Sequence, residues 1–260
     1  MARRDLLGVI PNSLTLLNML CGILSTIVAL GAACQPIYMP YLHWAPWLVL
    51  LASLFDVLDG LVARALGVSS RLGMELDSLS DLISFGLAPA AMLIALGALT
   101  LGGASWPELS GGARVLLLLP VVYTLAAGYR LAKFNIDTRQ QHTFRGLPTP
   151  SAALFVCGLT FIPCSGPCAQ ALLPAISCSY GLNTWAVLLA VALLLPVPML
   201  SLKMRPQRLL EALPIGLVVM GGIAGVAFFG PAGLLFVTPL YIVVSLFARR
   251  LIVRSEAEGQ

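Results

Sequence analysis

The chain has 260 residues, of which 59% are hydrophobic and only 10% are charged, and its mean hydropathy is +0.95. A soluble domain of this length could not bury so much apolar surface, so the composition excludes an ordinary soluble protein and predicts an integral membrane protein. The formal net charge of +4 comes without a basic surface interleaved with aromatic residues, so we expect no nucleic-acid partner.

Apolar runs long enough to be membrane helices recur along the whole chain. A spanning helix needs about 20 mostly apolar residues. On that measure we predict eight spans, at residues 12–33, 45–65, 79–102, 114–135, 148–163, 183–202, 212–230 and 232–250. The runs lack the alternation of a barrel strand. The expected fold is therefore all-α, a polytopic membrane bundle of about eight transmembrane helices that forms one membrane-embedded domain over 1–260, with C-terminal helices at about 183–250.

The basic residues are distributed unevenly between the two sides of such a bundle. With eight spans, 14 of the 15 lysines and arginines fall on the side that holds both termini, and the exception is Arg114. Positively charged loops stay in the cytoplasm, so we expect both termini to be cytoplasmic and the protein to lie in the cytoplasmic membrane. The first apolar run is longer than the core of a secretory signal, so we expect a retained helix.

One segment between two apolar runs is rich in charge: DVLDGLVARALGVSSRLGMELDSLSD, residues 56–81. Asp56 and Asp59 lie three residues apart near the cytoplasmic end of the second predicted helix. Asp77 and Asp81 lie four residues apart at the start of the third. Each pair therefore shares one helix face, and both pairs lie at one membrane depth. A charged aspartate in hydrocarbon costs about 2.5–3.5 kcal/mol, so something must neutralise the cluster.

Divalent cations are the expected counter-charge. Carboxylate oxygens suit Mg²⁺ or Mn²⁺, and two such ions would balance four aspartates, whereas Arg64 could offset only one. Two-metal sites commonly serve phosphoryl chemistry. Gly60 and Gly73 leave bare backbone beside the acids, which would let a phosphate ligand approach closely. A single acid such as Asp77 could instead cap a helix, but four acids without a matching set of bases favour a metal site.

The spacing of this segment resembles the signature of the CDP-alcohol phosphotransferases. The string Asp56-x₂-Asp59-Gly60-x₂-Ala63-Arg64-x₈-Gly73-x₃-Asp77-x₃-Asp81 agrees with that signature at all eight fixed positions. The resemblance implies a binuclear metal site held by the four aspartates, with Asp81 as the general base. It also implies that the CDP moiety is surrounded by Gly60, Ala63, Arg64 and Gly73. The family is often dimeric, so a homodimer is one further expectation.

The first predicted helix opens with IPNSLTLLN, in which Asn12, Thr15 and Asn18 share one helix face. Taken alone, Asn12 and Thr15 indicate a helix start. The family often begins with a Pro-Asn segment, and beside a nucleotide pocket these two residues become candidate contacts to the base or ribose of CDP.

The segment RLAKFNIDTRQQHTFRGLPTP, residues 130–150, bears on the acceptor. Arg130 falls inside the fourth predicted helix before the apolar pattern ends, and a buried arginine needs an anionic partner. The strings RLAKFN and FRGLPTP are similar to those of the membrane-integral members that use L-serine. This resemblance implies that a phosphatidyl group passes from CDP-diacylglycerol, a membrane lipid, to L-serine. It places Arg130 and Asn135 near the serine and phosphate pocket, with Arg145 as a further candidate.

Two alternatives remain open. The acceptor could be glycerol 3-phosphate or an inositol phosphate, since the four bases of 130–145 would also suit an acceptor that carries a phosphate. A cation-coupled transporter would also hold carboxylates within the membrane, but it predicts an inverted repeat and acids at mid-span. No strong repeat is visible, and the acids cluster near one side.

Overall fold

The fold is that of a computed structural model, which describes residues 2–68, 70–102, 109–136, 144–175, 179–199 and 209–247. Across these residues the regular secondary structure is helical except for one pair of two-residue strands, which confirms the predicted all-α bundle. The α-helices are α1 Ala2–Cys34, α2 Trp44–Leu66, α3 Arg71–Asp81, α4 Ala88–Thr100, α5 Gly111–Leu118, α6 Val121–Ile136, α7 Thr149–Phe161, α8 Pro167–Gln170, α9 Ser179–Leu194, α10 Leu209–Phe229 and α11 Val237–Phe247.

Tighter and wider helical turns connect several of these helices. A π-helix, Leu82–Leu87, joins α3 to α4, so that residues 71–100 form one continuous helix. Turns of 3₁₀-helix lie at Pro36–Tyr41, Ile162–Cys164, Leu173–Ala175 and Gly230–Phe236. The two short strands, β1 (Phe144–Arg145) and β2 (Pro198–Met199), pair antiparallel with Phe144 opposite Met199.

Within the described residues, five helical stretches are long and apolar enough to cross a membrane. They are Gly8–Cys34, Ile37–Leu66, Arg71–Thr100, Gly111–Ile136 and Leu213–Phe247. Two shorter apolar helices, Thr149–Cys164 and Tyr180–Leu194, account for two further predicted spans. The bundle is therefore that of a membrane protein, although helix length alone gives fewer spans than the eight predicted.

The stretch Leu213–Phe247 covers two predicted helices because the chain reverses within it. Gly230 has a φ of +62°, a left-handed conformation that glycine adopts without strain. On the two sides of this turn, Gly221 lies against Leu240 and Gly225 against Gly233, so residue numbers rise on one side as they fall on the other. Helices α10 and α11 therefore form an antiparallel hairpin with glycine at its closest contacts.

Several neighbouring apolar segments run in opposite directions. Helices α1 and α2 are joined by Thr15 with Asp59 and by Ser25 with Ala45, which is the reversed order of an antiparallel pair. The same reversal relates helix 71–100 to α6, because Ser78 contacts Asn135 and Phe85 contacts Tyr123. It relates α7 to α9, because Leu147 contacts Ala192 and Phe155 contacts Trp185. It also relates α7 to α11, because Ser151 contacts Thr238 and Gly158 lies against Leu235. The acidic ends of α2 and α3 therefore share one end of the bundle with the C-terminal ends of α6 and α11.

Helix 71–100 is the centre of the bundle. In its most apolar window 72% of the residues are buried, against 17–33% in the other four long stretches. Those outer helices turn large apolar side chains outward, as Leu16, Leu20 and Ile27 do on α1, and such a surface suits lipid contact. The predicted acids of the third helix therefore lie at one end of the most buried of the five long stretches.

Candidate active site

Three of the four predicted aspartates come together where the ends of α2 and α3 meet. One carboxylate oxygen from each of Asp56, Asp59 and Asp77 lies within 4.8 Å of the others. Asp59 is buried, and the other two are partly buried. Carboxylates this close repel one another unless a cation lies between them. An oxygen-only donor set of this kind fits a hard divalent ion such as Mg²⁺ or Mn²⁺.

Asp81 lies one helical turn beyond Asp77 and outside that group of three. It is partly buried and lies within electrostatic range of Arg130 on α6. Arg130 is only 8% exposed, which confirms its predicted burial, and Asp81 is an anionic neighbour of the kind that a buried arginine requires. Asp81 is therefore the aspartate of this segment whose charge acts on the buried Arg130.

Thr15 on α1 contacts the acidic cluster directly. Its Oγ1 donates a hydrogen bond of 2.6 Å to Asp59 Oδ2, and it also lies 3.0 Å from the carbonyl oxygen of Pro11. The interpretation of Asn12 and Thr15 as a helix start is wrong, because α1 begins at Ala2 and continues through Pro11. Thr15 is thus an interior helix residue that orients a carboxylate of the cluster.

Gly73 allows α1 to approach α3 at the edge of the cluster. A Cβ atom at Gly73 would lie 3.1 Å from Asn12 Oδ1, a separation that few real contacts show. The structure thus brings Asn12 against the signature segment. The cap of α3 is Ser70, whose Oγ accepts a 2.9 Å hydrogen bond from the Gly73 N–H. Asp77 lies inside α3, so the alternative that it caps a helix is excluded.

Arg64 lies in the last turn of α2 and is exposed. Its guanidinium extends back along the helix over Gly60, since a Cβ atom there would lie 3.6 Å from Arg64 Nη1. Gly60 directly follows Asp59, so this cation lies beside the acidic cluster. Ala63 is partly buried on the same helix.

The predicted acceptor residues reach the site to different extents. The Asn135 side chain at the end of α6 donates a 2.9 Å hydrogen bond to Ser78 Oγ, next to Asp77. The backbone of Arg145 pairs in β1, but its side chain lies outside the described residues, as does the whole of 137–143. The role predicted for Arg145 therefore stays a prediction.

Two serines that the sequence did not single out join the central helix to α1. Ser80 Oγ donates to the carbonyl oxygen of Thr15, and Ser84 Oγ donates to that of Asn18, both at 3.0 Å. Both serines are fully buried. These bonds hold the backbone on each side of Asp81 against the first helix.

On the opposite side, α6 supports the π-helix that begins directly after Asp81. Tyr123 OH donates to the carbonyl oxygen of Phe85 at 2.7 Å, and Thr124 Oγ1 donates to that of Gly86 at 3.1 Å. Segments of π-helix occur frequently at functional sites. The only sequence signal for this support is the pair of hydroxyl residues within the apolar run VVYTLAAG.

Asn18 lies one turn beyond Thr15 on the same face of α1. It is fully buried, and neither side-chain polar atom has a hydrogen-bond partner among the described residues. A buried amide in this state costs about 1–3 kcal/mol. An asparagine at this position is therefore a stability cost located beside the site.

An acidic cluster that fits divalent cations, a nearby arginine on the helix surface and a second, buried arginine are features that suit a membrane enzyme of phosphoryl-group transfer. Comparison with known proteins agrees. The family model described as CDP-alcohol phosphatidyltransferase matches residues 8–196, and the chain belongs to this family. Membership in a transferase family decides against the transporter alternative.

Three relatives illustrate the similarity. A CDP-diacylglycerol–serine O-phosphatidyltransferase of Bacillus subtilis (strain 168) is 31% identical over 152 residues, which cover 58% of this chain and 75% of the relative. The protein of that name from Mycobacterium leprae is 38% identical over 160 residues, 59% of this chain and 47% of the relative. An archaetidylserine synthase of Methanothermobacter thermautotrophicus is 36% identical over 149 residues, which cover 56% of this chain and 55% of the relative. The chain thus spans from about half to three quarters of these relatives.

Proposed function

We propose that the protein is a CDP-diacylglycerol–serine O-phosphatidyltransferase, which transfers the phosphatidyl group of CDP-diacylglycerol to L-serine and releases CMP. The observation that carries the proposal is the cluster of Asp56, Asp59 and Asp77 in a chain of the CDP-alcohol phosphatidyltransferase family, together with a buried Arg130 on which the charge of Asp81 acts. The names of the relatives support serine over glycerol 3-phosphate or an inositol phosphate as the acceptor.

The four aspartates would hold two divalent cations, Mg²⁺ or Mn²⁺. Asp56, Asp59 and Asp77 are close enough to share one ion, and Asp81, one turn further along α3, would complete the binuclear set. When bound, the cations neutralise the carboxylates and stabilise negative charge on the phosphate oxygens. The Thr15 hydroxyl fixes the orientation of the Asp59 carboxylate in this set.

CDP-diacylglycerol would bind where α1, α2 and α3 meet. Arg64 presents a planar guanidinium beside the cluster, a geometry suited to paired contacts with the diphosphate. Asn12, Ala63 and the bare backbone at Gly60 and Gly73 would surround the rest of the CDP moiety. Thr15 would lie at the edge of that pocket through its contact with Asp59.

Asp81 would act as the general base. It accepts the proton of the serine hydroxyl while the hydroxyl oxygen attacks the phosphorus on the lipid side of the diphosphate. A new bond forms between serine oxygen and phosphorus, the bond from that phosphorus to the CMP oxygen breaks, and CMP leaves. Arg130 would pair with the serine carboxylate, with Asn135 and Arg145 as further contacts to the serine or the phosphate.

We also propose that the chain forms a single domain of eight membrane-crossing segments with both termini and the active site on the cytoplasmic side. The opposite directions of the neighbouring segments described above support this arrangement, because antiparallel segments return the chain to the opposite end of the bundle. The basic residues support the orientation, since 14 of 15 fall on the side of the acids. The family resemblance adds a homodimer to the proposal.

The experiment that tests the function measures CMP release by purified protein from CDP-diacylglycerol and Mn²⁺ with one alcohol at a time. L-serine should support turnover at least about tenfold faster than glycerol 3-phosphate or inositol phosphate, and chelation of the metal should stop it. Fast CMP release with glycerol 3-phosphate and none with serine would refute the proposed acceptor.

A further inference from the structure

The central helix widens into its π-helix directly after Asp81, and a proline accounts for the change. In an α-helix the carbonyl oxygen of Phe85 would accept from the backbone N–H four residues on, but that residue is Pro89, which has no N–H. The ring of a proline also clashes with the carbonyl group four residues before it. Membrane helices accommodate such a proline by a local wider turn, and here the N–H of Ala88 bonds to the carbonyl oxygen of Ile83, five residues back. The π-helix therefore follows from the position of Pro89.

Tyr123 on α6 supplies a donor where the proline cannot. Its hydroxyl donates to the carbonyl oxygen of Phe85 at 2.7 Å, and both residues are fully buried. The next residue of α6, Thr124, donates to the carbonyl oxygen of Gly86 at 3.1 Å. Gly86 also lets α6 approach closely, because a Cβ atom there would lie 3.3 Å from the Cβ atom of Ala127. Two consecutive hydroxyls of α6 thus bond to two consecutive carbonyls of the π-helix.

A third hydrogen bond from α6 to the central helix lies on the other side of Asp81. The side chain of Asn135 donates to Ser78 Oγ at 2.9 Å, one turn before Asp81, whereas the Tyr123 bond lies one turn after it. Asp81 on the central helix and Arg130 on α6 therefore lie between the same two contacts. The form of the π-helix thus decides how Asp81 is turned relative to the helix that carries Arg130.

We propose that Tyr123 is a positioning residue for Asp81: its hydroxyl replaces the N–H that Pro89 lacks and so keeps the π-helix in place. This inference rests on the proposed function, in which Asp81 is the general base. Without the hydroxyl, the carbonyl of Phe85 would lose a buried hydrogen bond, and the wide turn would move along the helix toward Asp81. Each residue that the wide turn passes is rotated by about 100° relative to the buried residues beyond it. Asp81, the acid next to the π-helix, is the first to be rotated.

Steady-state kinetics of Tyr123→Phe test this role, with Tyr129→Phe as the matched control. Both variants lose one phenolic hydroxyl from α6, but Tyr129 is 63% exposed, so its variant should keep the wild-type constants. Tyr123→Phe should lower kcat for serine-dependent CMP release about tenfold, the effect of one lost hydrogen bond, and should change the KM for CDP-diacylglycerol less than about twofold.

The same substitution in an Asp81→Asn background shows whether Tyr123 acts through Asp81. It should change kcat there less than about twofold, because the group that Tyr123 positions is already lost. An unchanged kcat in folded Tyr123→Phe, or an equal tenfold loss in the Asp81→Asn background, would overturn the positioning role and leave the proposed function intact.

A further comparison measures the link to Pro89 without any activity. Pro89→Ala restores an N–H from which the carbonyl oxygen of Phe85 can accept. Tyr123→Phe should therefore lower the Tm of the wild-type protein, and should lower the Tm of Pro89→Ala by less than about half as much. Equal losses of Tm in the two backgrounds would overturn the link between the hydroxyl and the proline.

Thr124→Val keeps the inference testable if Tyr123→Phe fails to fold. It removes the hydroxyl that bonds to the carbonyl of Gly86 in the same π-helix, so it should lower kcat in the same direction by a smaller factor. A wild-type kcat in Thr124→Val would then overturn the positioning role. A wild-type protein that releases no CMP with serine would overturn the proposed function, and the comparison of Tm values would still decide whether Tyr123 compensates for Pro89.

Discussion

The hydroxyl of Thr15 on α1 donates a 2.6 Å hydrogen bond to Asp59 Oδ2 on α2. Both residues are buried, and a hydrogen bond to a charged group is strengthened in such surroundings. The bond connects two positions that are 44 residues apart in the sequence. The first helix is therefore part of the acidic site and not merely its neighbour in the membrane.

Thr15→Val keeps the shape of the side chain and removes the donor. We expect kcat/KM for CMP release to fall about tenfold or more, because the Asp59 carboxylate loses a charge-assisted hydrogen bond. Thr15→Ser should retain most of the activity. Ser13→Ala is the control, since the exposed Ser13 hydroxyl bonds only to the backbone of its own helix in the described structure. Full activity of Thr15→Val would show that the bond does not matter.

Asp56→Asn and Asp59→Asn should each abolish turnover and weaken Mn²⁺ binding, as measured by titration calorimetry. The Tm of the metal-free protein should hold or rise, because one carboxylate fewer relieves repulsion within the cluster. Glu75→Gln, at an exposed position of the same helix as Asp77, should leave Mn²⁺ binding unchanged. Retention of activity by both asparagine variants would contradict the metal site.

Asp81→Asn should lower kcat for serine-dependent CMP release by about 10²–10⁴-fold, the usual contribution of a general base. The KM for CDP-diacylglycerol should change little, because the lost interaction belongs to the transition state. Steady-state kinetics with each substrate varied in turn separate the two effects. A variant that loses only affinity for CDP-diacylglycerol would assign Asp81 to substrate binding instead.

Asn18→Leu should stabilise the protein by about 1–3 kcal/mol, because it replaces a fully buried amide that has no partner in the described structure by an apolar group with the same branching and the same number of side-chain heavy atoms. Thermal unfolding without substrate measures this as a higher Tm. Asn18→Ala is the contrasting variant, since the cavity it leaves should lower the Tm. A lower Tm for Asn18→Leu would mean that the amide is satisfied in solution, by ordered water for example.

The spacing of the aspartates predicted most of the acidic cluster. Residues three or four apart share a helix face whatever the helix packs against, so Asp56 with Asp59 and Asp77 with Asp81 follow from local geometry. The burial of Arg130 followed from its position within an apolar run. Both inferences depend on periodicity within one helix, which the sequence displays directly.

Contacts between helices could not be predicted in this way. Nothing in the spacing of Ser84 shows that it reaches the backbone of Asn18, and nothing near Asn135 shows that it bonds to Ser78. The hydropathy pattern also predicted wrong ends for two helices. The first span was predicted to begin at residue 12, but α1 begins earlier and passes through Pro11. The sixth was predicted to end at residue 202, but α9 ends at Leu194, ahead of two prolines. Such features depend on packing, which a single sequence does not specify.

The π-helix at Leu82–Leu87 has a consequence for how this helix tolerates insertions and deletions. A wide turn of this kind holds one residue more than the α-helical turn it replaces, and each residue of an α-helix rotates the chain by about 100°. Removal of a single residue between Asp81 and Ala88 would therefore return the wide turn to an ordinary α-helical turn and keep Asp77 and Asp81 on their present face. The same deletion within α4 would instead turn the carboxylates by about 100° relative to the buried residues that follow it, although every aspartate of the signature would still be present.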